Sequence, residues 1–113
     1  MTHQAEFSAR TVVRDRWGTW THPDFFKAAN GNEFPLKGEF ETWLAEHNLI
    51  SAPTWMASDA PDWQMETFWA SGNCASWEPG RPAGEGWFIG SIHDTEDGPV
   101  CIWLCRNPKV EAA

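Results

Sequence analysis

Residues 86–105 read GWFIGSIHDTEDGPVCIWLC, and this stretch predicts a β-hairpin. Its two halves, residues 86–93 and 99–106, are rich in β-branched and aromatic side chains, which favour strands. Between them, Asp97-Gly98-Pro99 supplies residues typical of a tight turn. The rest of the chain is therefore expected to cover an apolar face of this hairpin.

The alternation of side chains predicts how the two strands pair. If His93 lies opposite Pro99, the hairpin has one face made of apolar residues and glycine alone. That face holds Phe88, Gly90, Ile92, Val100, Ile102 and Leu104. The opposite face then holds Trp87, Ile89, Ser91, His93, Cys101, Trp103 and Cys105. A slip of one residue would mix the two sets, so the pattern favours this register or one shifted by two residues.

Three further strands are predicted earlier in the chain. Two lie within residues 7–14 and 18–21, and Gly18 can adopt the positive φ that a short hairpin between them needs. A third is predicted around residues 52–57, interrupted early by Pro53.

Two amphipathic helices are predicted between the strands. In residues 37–47 the apolar side chains recur at helical spacing, and Asn48 can end this helix in a left-handed conformation. A second helix is predicted from residue 58 or 59 to Gly72, with Pro61 in its first turn. Its predicted apolar side carries Trp63, Phe68 and Trp69.

The order β-β-α-β-α-β-β predicts an α+β fold with a mostly antiparallel sheet and both helices packed on one face. A length of 113 residues predicts a single domain over residues 1–113 with a core of its own. We expect residues 1–6 to be frayed and residues 107–113 to form a tail.

Charge is distributed unevenly along the chain. The net charge is -8, but residues 38–100 hold eleven acidic residues and one basic residue, a charge of -10 for this middle part. Such a surface repels nucleic acid and anionic membranes and favours a basic protein partner. The simpler interpretation is that the charge serves solubility alone.

The cysteine content and the start of the sequence bear on the cellular compartment. Residues 1–6 lack the basic start and apolar run of an export signal, and three cysteines are an odd number. We therefore expect reduced thiols and a cytoplasmic location. Cys101 and Cys105 lie about 13 Å apart on one extended strand, too far to form a disulfide.

A small-ligand or catalytic site is predicted, as an alternative, at Ser91, His93, Asp94 and Trp103. Ser91 and His93 are two residues apart on one strand, about 7 Å, which is too far for a direct hydrogen bond without favourable rotamers. No third residue is identifiable as the acid of a catalytic triad. The sequence also lacks the strong nucleotide-binding and hydrolase motifs, so a non-enzymatic protein is favoured.

No metal or cofactor is predicted. Asp94, Glu96 and Asp97 lie close to His93 but break the alternation of ligands that a calcium loop needs. The three cysteines do not have the paired short spacings of a zinc site.

Two stretches carry a resemblance to known proteins: residues 20–25, WTHPDF, and residues 86–99, GWFIGSIHDTEDGP. With them the chain resembles small accessory proteins of bacteriophages and prophages. The resemblance implies a bacterial cytosol and a protein that binds and inhibits a host factor. It assigns no site residues.

The leading functional hypothesis is an acidic protein-binding module that inhibits a host protein or defence complex. Its negatively charged surface would bind a basic surface of that host protein. No direct contact with nucleic acid or membrane is expected. The candidate partner-binding residues are the carboxylates predicted on the two helices, namely Glu39, Glu41, Glu46, Asp59, Asp62 and Glu66.

Overall fold

The computed structural model describes residues 8–26 and 38–107, and this part of the chain forms an antiparallel sheet with helices on both faces. The strand order is β1-β3-β4-β2. The elements are β1 (Trp20–Thr21), α1 (Glu39–Glu46), β2 (Leu49–Trp55), α2 (Met56–Asp59), α3 (Asp62–Ser71), β3 (Phe88–Thr95) and β4 (Gly98–Arg106). The predicted α+β class with an antiparallel sheet is confirmed. The frayed segment 1–6 and most of the predicted tail lie outside the described residues.

The predicted N-terminal hairpin is wrong in part. The turn exists, because the backbone N–H of Gly18 donates to the Asp15 carbonyl at 3.0 Å and Gly18 has a φ of 91°. Residues 8–14, however, form no strand, and β1 pairs with β3 instead. The side chain of Arg14 accounts for this, since it donates to the carbonyls of Cys74 and Trp77 at 2.8 and 2.6 Å and holds the segment against that distant loop.

The central hairpin is confirmed, but its predicted register holds only for the two pairs before the bulge, Phe88 with Leu104 and Ile89 with Trp103. Ile89 pairs with Trp103 as predicted, whereas His93 pairs with Val100 rather than Pro99. A β-bulge between Ile89 and Ser91 causes the shift by one residue. At its centre is Gly90, where a β-carbon would lie 2.7 Å from a methyl carbon of Leu104, so only glycine fits the bulge.

The bulge exchanges the faces of the β3 residues that follow it. Ser91 and His93 now point to the side of Ile102, and Ile92 points to the side of Cys101. The prediction of one purely apolar face is therefore wrong. Both faces instead carry an apolar cluster, and a buried serine shares one of them.

The helices cover opposite faces of the sheet, which corrects the prediction of a single helical layer. Helices α2 and α3 cover what we call the α3 face, where Met56 and Phe68 pack with Ile92, Cys101 and Trp103. Helix α1 covers the other face, the α1 face. There Trp43 and Leu44 pack with Leu49, Phe88, Ile102 and Leu104.

The C-terminal ends of α1 and α3 follow the sequence signals, whereas the predicted start of the second helix at residue 58 or 59 is wrong, since α3 begins at Asp62. Asn48 has a φ of 57° and Gly72 a φ of 75°, so each ends its helix in the predicted left-handed conformation. Pro61 is the N-cap of α3, and α2 is a separate short helix that continues directly from β2. Among the described helices, none has both the length and the apolar character needed to cross a membrane.

Candidate functional site

Helix α3 has a narrow buried side and a wide exposed side. Phe68 is buried in the core, and Met65, one turn earlier, packs against the same cluster. These two residues are three apart, a spacing that places both on one face of a helix. The remaining side of α3 faces solvent, and it carries no basic residue.

Two tryptophans of α3 point to solvent, contrary to the predicted apolar side of this helix. Trp63 is 59% exposed and Trp69 is 63% exposed, whereas only Phe68 of the predicted trio is buried. The helical geometry explains the difference, because residues 63 and 68 are about 140° apart around the axis and cannot share one face. The spacing of Met65 and Phe68 was the available signal for the buried side.

Glu66 lies between the two exposed indoles. At 3.6 residues per turn it is about 60° around the helix axis from Trp63 on one side and from Trp69 on the other. Asp62 precedes Glu66 by four residues and so lies on the same side of the helix. The exposed side of α3 therefore alternates indole rings with carboxylates.

The turn between β3 and β4 extends this surface. A methyl group on Gly98 would lie 3.8 Å from the ring of Trp69 and 3.9 Å from Met65, so this turn lies against the edge of α3. Glu96 and Asp97 of the turn are both exposed. We call the combined set the α3–turn surface: Asp62, Trp63, Glu66, Trp69, Glu96 and Asp97. The two segments are about 30 residues apart in the sequence, and no sequence signal indicated that the turn and the helix meet.

The carboxylates of the α3–turn surface are not neutralised by the described part of the chain. Its two ion pairs, Arg10 with Asp24 and Arg14 with Glu78, lie elsewhere. The hydroxyls of Thr67 and Ser71 donate to backbone carbonyls within α3, at 2.9 and 2.6 Å. The surface therefore offers acceptors and indoles to a partner, and no cation.

Asp59, predicted to bind a partner, makes hydrogen bonds within the chain. Its Oδ2 accepts hydrogen bonds from the Trp77 indole N–H at 2.9 Å and from the Gly80 backbone N–H at 3.0 Å. These bonds fasten the loop after α3 to the end of α2.

The other predicted carboxylates, on α1, lie on the opposite side of the sheet from α3. Glu41 and Glu46 are exposed, while one oxygen of Glu39 is buried and has no hydrogen-bond partner among residues 8–26 and 38–107. Since α1 and α3 cover different faces, the six predicted partner-binding residues do not form one surface. A single flat partner could contact one group or the other.

The predicted ligand site is likewise divided. Ser91 Oγ lies 2.9 Å from His93 Nδ1 and 3.0 Å from Thr21 Oγ1, so the two central residues do form a direct hydrogen bond. Asp94 lies on the other face of the sheet because it directly follows His93 on β3 and successive side chains alternate. Trp103 lies on that other face too, because the bulge shifts the register. The structure thus joins half of the predicted set and separates the rest.

The Ser91–His93 pair has limited access to a substrate. Ser91 is 1% exposed, so a nucleophilic attack by its hydroxyl would need the sheet to open. Burial lowers the pKa of His93 below its usual value of 6.5, and the nearby Asp94 carboxylate partly opposes this shift. Among residues 8–26 and 38–107, no cluster of three or more His, Cys, Asp or Glu side chains could hold a metal ion.

A separate open cleft of about 500 Å³ lies beside the last residues of β4. Trp87 forms one wall, and its indole N–H donates to the Ala83 carbonyl at 3.1 Å. The other lining residues are Ile50, Ala83, Glu85, Gly86, Cys105 and Arg106. None of the predicted site residues lines it.

Comparison with known proteins gives no family to which these features could be assigned. The chain matches no protein-family model, no curated protein and no solved structure.

Proposed function

We propose that this chain is a non-enzymatic protein-binding module of a phage or mobile element, which inhibits a host protein by covering a basic surface of it. The α3–turn surface is the part that makes the contact. The observation that carries this proposal is the exposure of Trp63 and Trp69 beside carboxylates that no basic residue of the described part of the chain neutralises.

Neighbouring exposed tryptophans place a large apolar area in contact with water, and such areas often mark interaction sites. A tryptophan side chain buries a large apolar area when it is covered, and it is among the residues that most often dominate protein–protein binding energies. Two of them on one helix, both more than half exposed, form an apolar area that a partner can cover. The proposal therefore rests on aromatic contact as much as on charge.

The carboxylates determine the kind of partner. Asp62 and Glu66 lie on α3, and Glu96 and Asp97 are on the turn beside Trp69, so the α3–turn surface carries four negative charges. A basic surface, such as the nucleic-acid groove of a nuclease or defence complex, attracts such a pattern in place of phosphates. Nucleic acid itself is repelled.

A pair of matched double variants tests the location of the surface. Asp62→Lys/Glu66→Lys reverses two charges on α3, and Glu41→Lys/Glu46→Lys makes the same change on α1. Bacterial lysate is passed over each immobilised protein, and captured proteins are identified by mass spectrometry. We expect the α3 variant to lose its partner, since each close charge pair is worth about 1.5 kcal/mol or more, roughly tenfold in affinity. The α1 variant should retain it.

Two results would contradict the proposal. Equal loss of the partner in both variants would show that overall charge, rather than the α3–turn surface, governs capture. Loss in the α1 variant alone would move the binding surface to Glu41 and Glu46. Circular dichroism of all variants controls for folding, and raised salt should weaken capture by the unmodified chain.

A small-ligand site is the second candidate function, and the hydrogen bond between Ser91 and His93 favours it. A ligand there would approach the ring nitrogen of His93 that faces away from the buried serine. Its binding should persist at high salt if its contacts are mainly apolar. His93→Gln should abolish such binding and leave capture by the α3–turn surface unchanged.

A further inference from the structure

We infer that Trp69 is a platform for an arginine side chain of the partner, so that the α3–turn surface selects arginine over lysine. This inference rests on the proposed function and adds the chemistry of the group that is recognised. The inference is drawn from two tryptophans of this chain that are covered by its own arginine side chains.

The described part of the chain stacks arginines on its own indoles at two positions. The guanidinium carbon of Arg16 lies 4.9 Å from the ring centroid of Trp17, and that of Arg81 lies 5.3 Å from the ring centroid of Trp103. Both distances are within the range of a cation–π contact. In the described residues, no cation lies over Trp63 or Trp69, the two most exposed indoles.

Trp69 is held in place for such a contact. Its ring packs against Phe68, with the centroids 5.1 Å apart and the planes at 63°, and the turn at Gly98 lies near its outer edge. Phe68 is itself buried in the core, so the indole is positioned by a rigid neighbour. A ring already positioned loses little freedom when a partner covers it.

Carboxylates lie on both sides of Trp69. Glu66 is on the adjacent position of the helix surface, and Glu96 and Asp97 are on the neighbouring turn. A planar guanidinium can stack on the indole and donate two parallel hydrogen bonds to a carboxylate. A lysine ammonium is a compact, strongly hydrated charge that cannot do both. The combination of ring and flanking carboxylates therefore favours arginine.

The test compares two peptides of equal length and charge, a Gly-Arg repeat and a Gly-Lys repeat, titrated into the full chain at fixed salt. Binding is followed by isothermal titration calorimetry. The Gly-Arg peptide should bind more tightly, by about two- to fivefold for one exposed stacked indole. Trp69→Leu should remove this preference while retaining salt-dependent binding of both peptides. Trp17→Leu is the matched control, because that indole is 45% exposed and already carries Arg16, and it should leave the preference unchanged.

Equal affinity of the unmodified chain for both peptides would overturn the inference and leave the proposed function standing. A preference that survives in Trp69→Leu would also overturn it. Failure of both peptides to bind the unmodified chain would overturn the proposed function as well. Because the peptide ratio is measured first on the unmodified chain, equal affinities overturn the inference even if a variant fails to fold.

Discussion

The two faces of the sheet are packed very differently. On the α3 face seven residues are buried in one cluster, among them the large side chains of Met56, Trp77 and Trp103. On the α1 face the described cluster holds two buried apolar residues, Leu49 and Leu104, with Ser91 and Val100 buried on the same side of the sheet. The aromatic rings around this cluster, including Phe25 and Trp43, are partly exposed. Among the described residues, the face that carries the proposed binding surface therefore has the larger buried cluster.

This difference has a functional meaning. A binding surface made of exposed indoles needs a fixed support, because each ring that must be ordered on binding reduces the affinity. Phe68 provides that support by joining the core of the α3 face to the ring of Trp69. The α1 face, with its half-buried rings, provides less support for the carboxylates of α1.

The largest expected effect is on the free energy of unfolding, and it differs between alanine substitutions at two isoleucines of the central hairpin. Ile92 is 0% exposed on the α3 face, and Ile92→Ala should lower the free energy of unfolding by about 2–5 kcal/mol, because a cavity remains in a closely packed cluster. Ile102 is half-buried on the α1 face, and Ile102→Ala should lower the free energy of unfolding by about 1–2 kcal/mol. Urea denaturation measures both. Equal losses would remove the distinction between the faces.

A smaller effect is expected where Arg14 fastens the N-terminal segment to the α3 side of the molecule. Its guanidinium donates three hydrogen bonds to carbonyls and is 16% exposed. Arg14→Lys should cost about 1–3 kcal/mol, because a single ammonium cannot reach all three acceptors. Arg10→Lys is the control, since its ion pair with Asp24 is exposed and should change stability by less than about 0.5 kcal/mol. A similar loss in both variants would contradict this assignment.

The pH dependence of stability should reveal the buried His93 on the α1 face. The fold lowers the pKa of His93, so below about pH 6.5 the unfolded chain binds a proton more readily than the folded chain. This contribution to stability is complete above pH 6.5, falls as the pH decreases from 6.5 to the folded-state pKa, and is constant below it. Denaturation at several pH values should show a weaker decline for His93→Gln. Identical pH profiles would show that His93 is not buried as described.

The last prediction concerns the rates at which the three cysteines are chemically labelled. These rates test how closely the α3 face is packed. All three cysteines are free thiols, as predicted. Burial raises the pKa of Cys101 to about 12 and also raises that of Cys74, so neither forms a thiolate readily at neutral pH. Iodoacetamide should therefore modify Cys105, which is half-buried, before the other two. Peptide mass mapping gives the order, and early labelling of Cys101 would indicate an open core.

Local features of the fold could be predicted from the sequence alone. The turn at Gly18, the left-handed helix ends at Asn48 and Gly72, and the pairing of Ile89 with Trp103 all depend on neighbouring residues. Turn and capping preferences act over a few residues, so a single sequence contains them. The excess of negative charge in residues 38–100 could equally be read from the sequence.

Only the tertiary structure decided which residues share a surface. One bulge at Gly90 moved Ser91 and His93 to the opposite face from Trp103, and so divided the predicted ligand site. The distribution of helices over two faces separated Glu41 and Glu46 from the carboxylates of α3. At the bulge, Gly90 packs against Leu104 and Phe25, which are far from it along the chain. The only sign of these contacts in the sequence is an isolated glycine within a predicted strand.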